Sequence, residues 1–347
     1  MDRGGFRPGQ FLEFPPLTVM AHAVETAPAS APKTVAQRMP VPSRAGDVFS
    51  ERFTMLMAIS IFGLIGLILY ELLVGSWPTI KTFGLSFLST SSWNPVTEKF
   101  GALPFIYGTL LSSLIALIIA VPLSVATAIY LTELAPLWLR QPLTSLIEML
   151  AAIPSVILGL WGVFVMIPFL SKFVYPGLQA ALGWTPFFAG PIFGIGMLSG
   201  GIILAIMVIP IITSVSREIL SSVPNLQREA AYALGATKWE VTRVAVLSYA
   251  KRGLFGAIIL GLGRAIGETM AVTMVIGNSS RISASLFAPG NTMASVLANQ
   301  FAEASDDAFL SALFAVGLVL FLVTVIVNLF AQLLLLAAGG SKHGKLA

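Results

Sequence analysis

The sequence predicts an all-α integral membrane protein, a polytopic six-helix bundle carrying one long polar loop. Three observations support this. Of the 347 residues, 56% are hydrophobic and only 10% are charged, against about 25% charged in soluble domains. Six apolar stretches reach the roughly 20 residues needed to cross a bilayer as helix, and all are far longer than barrel strands. Between the fourth and fifth lies a polar island, residues 214–252, with charges of both signs.

Residues 1–50 open the chain as an expected disordered cytoplasmic tail, rich in Pro, Ala and polar residues and without apolar periodicity. The tail lacks the apolar run of a signal peptide, and Met20 and Met39 are alternative start positions. A transmembrane domain follows over 51–340, then a short tail over 341–347. The spans fall near 54–74, 104–132, 143–170, 191–213, 254–277 and 309–338. Pro122 lies inside the second, which lipid tolerates where neighbouring helices satisfy the freed carbonyl. Pro154 and Pro168 interrupt the third.

Orientation follows from the basic residues. With the amino terminus cytoplasmic, the inside segments hold fifteen of the twenty Lys and Arg, the positive-inside pattern. Both termini are then cytoplasmic. This topology accounts for the net charge of +4, so the charge implies no nucleic-acid partner. There is no cysteine, and the two histidines, His22 and His343, lie in opposite tails. Thiolate chemistry is excluded and a histidine metal cluster is not expected.

The polar island reads as helix, glycine turn, helix. Ser222 with Pro224 in the first turn opens one helix, and Gly235 is placed to end it in a left-handed conformation. Thr237 with Glu240 is a capping box that starts the next. Leu226, Ala230, Ala233 and Leu234 form a small apolar stripe on the first helix. A compact knuckle of this kind, outside the bilayer, offers a docking surface to a soluble partner.

Within the spans, Gly196 with Gly200 and Gly263 with Gly267 have the spacing that lets helices approach closely; a substrate-facing or hinge role is the alternative. Arg264 and Glu268, four residues apart, fall well inside the fifth span. A central charge costs at least about 2.5 kcal/mol to insert, so the pair is either a self-neutralising contact between helices or part of a translocation route. In the second case Arg264 is the counter-charge for an anion, since a guanidinium binds oxyanions bidentately. Glu148 is placed at the cytoplasmic interface. Trp77, Trp93, Trp184, Tyr175 and Phe100 suit an interfacial aromatic belt, or a docking site for an external partner in the 75–103 segment. No phosphate-binding loop and no Ser/His, metal–His or paired-Asp set is found inside the spans, which argues against an enzyme.

Glu229, Ala230, Ala231 and Gly235 match EAA-x3-G, the motif of permease subunits of binding-protein-dependent ABC importers, although the following I-x-L-P appears as Ala245, Val246, Leu247, Ser248. FLSTSSWNPV (87–96), FGALPFIYGTL (100–110), EMLAAIPSVILGLWG (148–162) and GRAIGETMAV (263–272) resemble the phosphate-transporter permease of PstC type. The resemblance covers about 50–338. It implies a six-helix ABC importer permease, with the 214–252 loop as coupling element, in a bacterial inner membrane. It also implies a homologous PstA-like second permease, a cytoplasmic ATPase dimer holding ATP–Mg, and an extracytoplasmic phosphate-binding protein. No cofactor is expected on this chain, and Arg264 with Glu268 is placed in the transport path. A permease for molybdate or sulfate is the near alternative. A stand-alone secondary transporter is less favoured, because no internal repeat is evident.

Overall fold

A computed structural model gives the structure of residues 44–339; most of the expected tails, including Met20, Met39 and both histidines, lie outside the described residues. These residues divide into two compact units, 44–62 and 63–339. Helix α1 (Arg44–Phe83) already takes in residues 44–50, with Asp47 in its first turn, where the helix dipole favours an anion. There follow α2 (Ser86–Ser89), α3 (Leu103–Leu134), α4 (Leu137–Ala151), α5 (Ser155–Leu182) and α6 (Met197–Ser221). The chain continues with α7 (Asn225–Ala233), α8 (Lys238–Ile266), α9 (Met270–Val275), α10 (Met293–Gln300) and α11 (Asp307–Gly339). Helices α1, α3, α5, α6, α8 and α11 are the six membrane spans. Among the described residues no β-strand forms; a single isolated bridge joins Asn94 and Lys99.

The core is centred on α6, which packs along α3 on one side and α8 on another. Missing side chains make this approach possible. A Cβ added to Gly261 of α8 would lie 2.6 Å from Ile212 and 2.9 Å from Val208 of α6, and one added to Gly201 of α6 would lie 2.4 Å from Ile115 of α3. Without a hydrophobic drive between helices in lipid, such close backbone contact is the main source of packing energy. Gly261→Val is therefore expected to destabilise the bundle by about 2 kcal/mol through overpacking, read as a lower melting temperature and reduced membrane abundance.

The two glycine pairs behave differently. Gly196 and Gly200 are closely packed, against the Phe287 carbonyl at 2.5 Å and Ile276 at 3.3 Å from the added Cβ. Gly263 instead faces open space, with only Asn328 Oδ1 at 4.0 Å, and Gly267 meets no atom beyond the Gly263 carbonyl. Close packing is thus corrected for the second pair.

The third span begins later than expected and is preceded by a separate helix. Ala152 closes α4 with φ −82° and ψ −10°, and Pro154 is extended at ψ 137°. Proline disfavours the helical conformation in the residue before it, so an apolar run continuous in hydropathy is split here. Pro168 is accommodated because π-helical turns over Gly162–Met166 and Leu170–Val174 flank it. The same helix–proline break recurs after α6. Ser222 is the C-cap of α6 and does not open α7, while Pro224 is extended at ψ 137° and α7 starts at Asn225.

The aromatic belt is also corrected. Phe100 and Tyr175 are core residues, each 1% exposed. Phe100 stacks on Phe309 at 5.8 Å, and Trp93 packs edge-on against Phe100 and Phe105 while donating Nε1–H to Gln300 Oε1 at 2.8 Å. Trp77 and Trp184 stay exposed, as a belt requires.

Candidate functional site

Two regions bring together the residues singled out in the sequence. The first is a helix break inside the fifth apolar stretch. Helix α8 ends at Ile266, Gly267 leaves the helix with φ −90° and ψ 1°, and α9 begins at Met270. Arg264 and Glu268 therefore do not share one continuous helix, yet they remain paired at 3.2 Å. Glu268 is 5% exposed, and its Oε1 accepts the Ala271 N–H at 3.4 Å. Its carboxylate thus sits between a guanidinium and the amino-terminal end of α9, two sources of positive potential that make burial of the charge tolerable.

Arg264 is placed differently. Its side chain is 50% exposed and opens onto a mainly apolar groove of about 640 Å³ between α6, α8 and α11. Asn328 and Gln332, one turn apart on α11, bring amides into the same groove, and Gly263 leaves room beside Arg264. The pair is buried on its acidic side and open on its basic side. A site of this form presents a cation to an anion while holding the counter-ion in the wall.

The second region is the knuckle. Helix α7 ends at Ala233 with Leu234 as its C-cap, and Gly235 follows with a φ of +83°. The Ala236 N–H bonds to Ala231 O at 3.2 Å and the Gly235 N–H to Tyr232 O at 2.9 Å, the two bonds of a Schellman motif. The capping box then forms as expected: Thr237 N–H donates to Glu240 Oε2 at 2.8 Å, and Glu240 N–H to Thr237 Oγ1 at 3.4 Å. No residue of α7 is buried. Glu229 and Ala230 are exposed and Ala231 is half-buried, while Leu226 and Leu234 are 72% and 90% exposed. The apolar stripe is present and uncovered.

Residues 120–336 match the family of binding-protein-dependent transport system inner membrane components. The phosphate transport system permease protein PstC of Mesorhizobium japonicum is 48% identical over 294 residues, covering 84% of this chain and 90% of that one. The chain belongs to the PstC permease family. The Haemophilus influenzae PstC is 49% identical over 81% of this chain and 90% of its own. PstC 2 of Mycobacterium tuberculosis is 38% identical over 92% and 99%. Among solved structures, the MetNI methionine ABC transporter in an inward-facing conformation overlaps 68% of this chain and 94% of that chain, at 18% identity and a TM-score of 0.48.

In this PstC-family chain the knuckle is anchored by residues that sequence reasoning passed over. Arg228 of α7 donates to Glu133 Oε1 at 2.8 Å, to Leu220 O at 3.0 Å and to Val223 O at 2.5 Å. It thereby ties α7 to the ends of α3 and α6. Nothing in the sequence links Glu133 to a residue 95 positions away; the signal is only that each stands at the margin of an apolar stretch. Glu148 lies on α4 and pairs with Arg217 of α6 at 3.4 Å, both partly exposed. Glu133→Gln is expected to cost about 2 kcal/mol, the scale of a charge-assisted hydrogen bond, and to loosen α7 with the spans intact. Protease sensitivity confined to residues 214–252 would report it.

Proposed function

We propose that this chain is the transmembrane subunit of an ATP-driven phosphate importer of the bacterial cytoplasmic membrane. It forms the translocation path with a PstA-like second permease, receives phosphate from an extracytoplasmic binding protein, and couples through α7 to an ATPase dimer. ATP–Mg binds that ATPase, and this chain hydrolyses nothing. The observation that carries this reading is the 48% identity to a PstC phosphate permease over 84% of the chain. The buried Glu268 and half-exposed Arg264 support an oxyanion path, and the uncovered face around Glu229, Ala230, Ala231 and Gly235 supports an ATPase dock. The excess of Lys and Arg on the knuckle side supports cytoplasmic termini.

Cells lacking the gene are expected to lose phosphate uptake at low external phosphate and to regain it on complementation. Uptake of molybdate or sulfate in place of phosphate would assign the chain to another oxyanion. A chain starting at Met39, which retains Arg44 and Arg52 as topology signals, is expected to insert and to transport as the full chain does. Loss of transport at normal membrane levels would give residues 2–38 a function.

A further inference from the structure

A polar cavity of about 500 Å³ lies beneath the knuckle, where the ends of α3 and α6 meet α4, α7 and the start of α8. Four cations line it, Arg140, Arg217, Arg228 and Lys238, against one carboxylate, Glu133. Glu133 is committed to Arg228 at 2.8 Å. Arg217 reaches Glu148, which stands outside the cavity, in an exposed pair at 3.4 Å, a weak contact. Arg140 uses only Nε, donating to Ala135 O at 3.0 Å. Among the described residues neither Arg140 nor Lys238 has a carboxylate within ion-pair distance. Glu240, two residues from Lys238, is occupied by Thr237.

The wall between these cations carries further donors. Gln141 lines the cavity, and so does Thr144, which is buried and finds no hydrogen bond for its hydroxyl among the described residues. Cations left unneutralised in a concave wall focus positive potential on its interior. Guanidinium, ammonium, amide and hydroxyl donors converging on one space suit a tetrahedral oxyanion.

We propose that this cavity binds a phosphate-type dianion through Arg140, Gln141, Thr144 and Lys238, and that occupancy slows transport by pinning the knuckle. Arg140, Gln141 and Thr144 belong to α4, whereas Lys238 is the first residue of α8, three residues past the Gly235 turn. An anion bridging them fastens the segment that follows the ATPase-docking face to the bundle. The inference rests on the importer reading above. Free phosphate and a phospholipid headgroup share the required chemistry.

The test uses the assembled importer in proteoliposomes, with ATP trapped on the knuckle side and binding protein with radiolabelled phosphate on the other. Unlabelled phosphate is raised on the ATP side, with sulfate as a parallel series. Initial uptake is expected to fall about tenfold once that phosphate exceeds its dissociation constant about tenfold, by simple occupancy. Gln141→Glu keeps the shape and places a carboxylate in the cavity. Each protein's uptake without internal phosphate is its own reference, and Gln141→Glu should need about tenfold more phosphate for the same fractional inhibition. Arg140→Lys keeps the charge but loses the guanidinium fork and the Nε–H that reaches Ala135 O, so it too should need more phosphate than the parent for the same fractional inhibition.

Vesicles with and without phosphatidic acid separate the sources. Slow uptake in phosphatidic acid alone, relieved by Gln141→Glu, assigns the anion to a headgroup. Identical inhibition curves for parent and Gln141→Glu, or no effect of phosphate or phosphatidic acid on the parent, overturn the proposal. If the parent fails to import phosphate at all, the importer reading falls instead. Equilibrium binding of radiolabelled phosphate to the purified complex then judges the cavity alone, and equal binding by parent and Gln141→Glu overturns it.

Discussion

Arg264→Gln is expected to abolish phosphate uptake through two separable effects. It strands Glu268, 5% exposed, and breaking one partner of a buried pair costs about 3–5 kcal/mol, so membrane abundance should drop. It also removes the cation that faces the groove. Glu268→Gln keeps that cation while deleting the acid beside the start of α9, so partial uptake is expected. The double variant restores neutrality and should recover abundance. If the pair serves packing alone, uptake returns with it. The half-exposed Arg264 beside Asn328 and Gln332 leads us to expect the opposite, normal abundance with uptake still absent. Membrane abundance and radiolabelled phosphate uptake, measured on the three variants together, decide between these outcomes.

Gly235→Asp is expected to leave the protein inserted and to uncouple it from the ATPase. The position has no atom within 4 Å of an added Cβ, so crowding plays no part. The cost lies in the backbone, since φ is +83° and a side chain there loses about 1–2 kcal/mol. Relief of that strain re-aims the end of α7 and the exposed Leu234. Gly235→Asn separates strain from charge, because Asn matches Asp in size and in its tolerance of the left-handed region but is neutral, and it should retain part of the coupling. Ala231→Glu tests the same face from within the helix by adding a charge where a small residue stands. Stimulated ATPase activity at the parent level in both Gly235→Asp and Ala231→Glu would remove the coupling role from this face.

Much of this arrangement was legible in the sequence because it rests on local rules. Thr237 and Glu240 are three residues apart and needed no distant partner to form their capping box. Gly235 was legible because a helix followed by glycine and a new cap leaves few other conformations. The Arg264–Glu268 pair was found for a partly different reason from the one that holds it. Spacing by four suggested one helix face, whereas the pair survives a break at Gly267 because Glu268 also serves the start of α9. Hydropathy could not show that break, since the apolar stretch resumes beyond Glu268 in Met270–Val275 and averages over it. It missed the boundary at Pro154 for the same reason and misjudged Phe100 and Tyr175, whose burial depends on distant Phe309 and Phe287. The Arg228–Glu133 contact, between residues at the ends of different helices, follows only from the assembled fold.

The asymmetry of the Arg264–Glu268 pair also has a consequence for the life of the polypeptide before assembly. A newly inserted chain without its companions exposes a guanidinium at the end of a membrane span and bare leucines on α7. The first is costly in lipid, and the second invites promiscuous association. On the importer reading proposed above, an orphan copy therefore carries its own marks of incompleteness at the groove and on the knuckle. Cellular quality control that recognises such marks would hold the level of this chain to the supply of its companions.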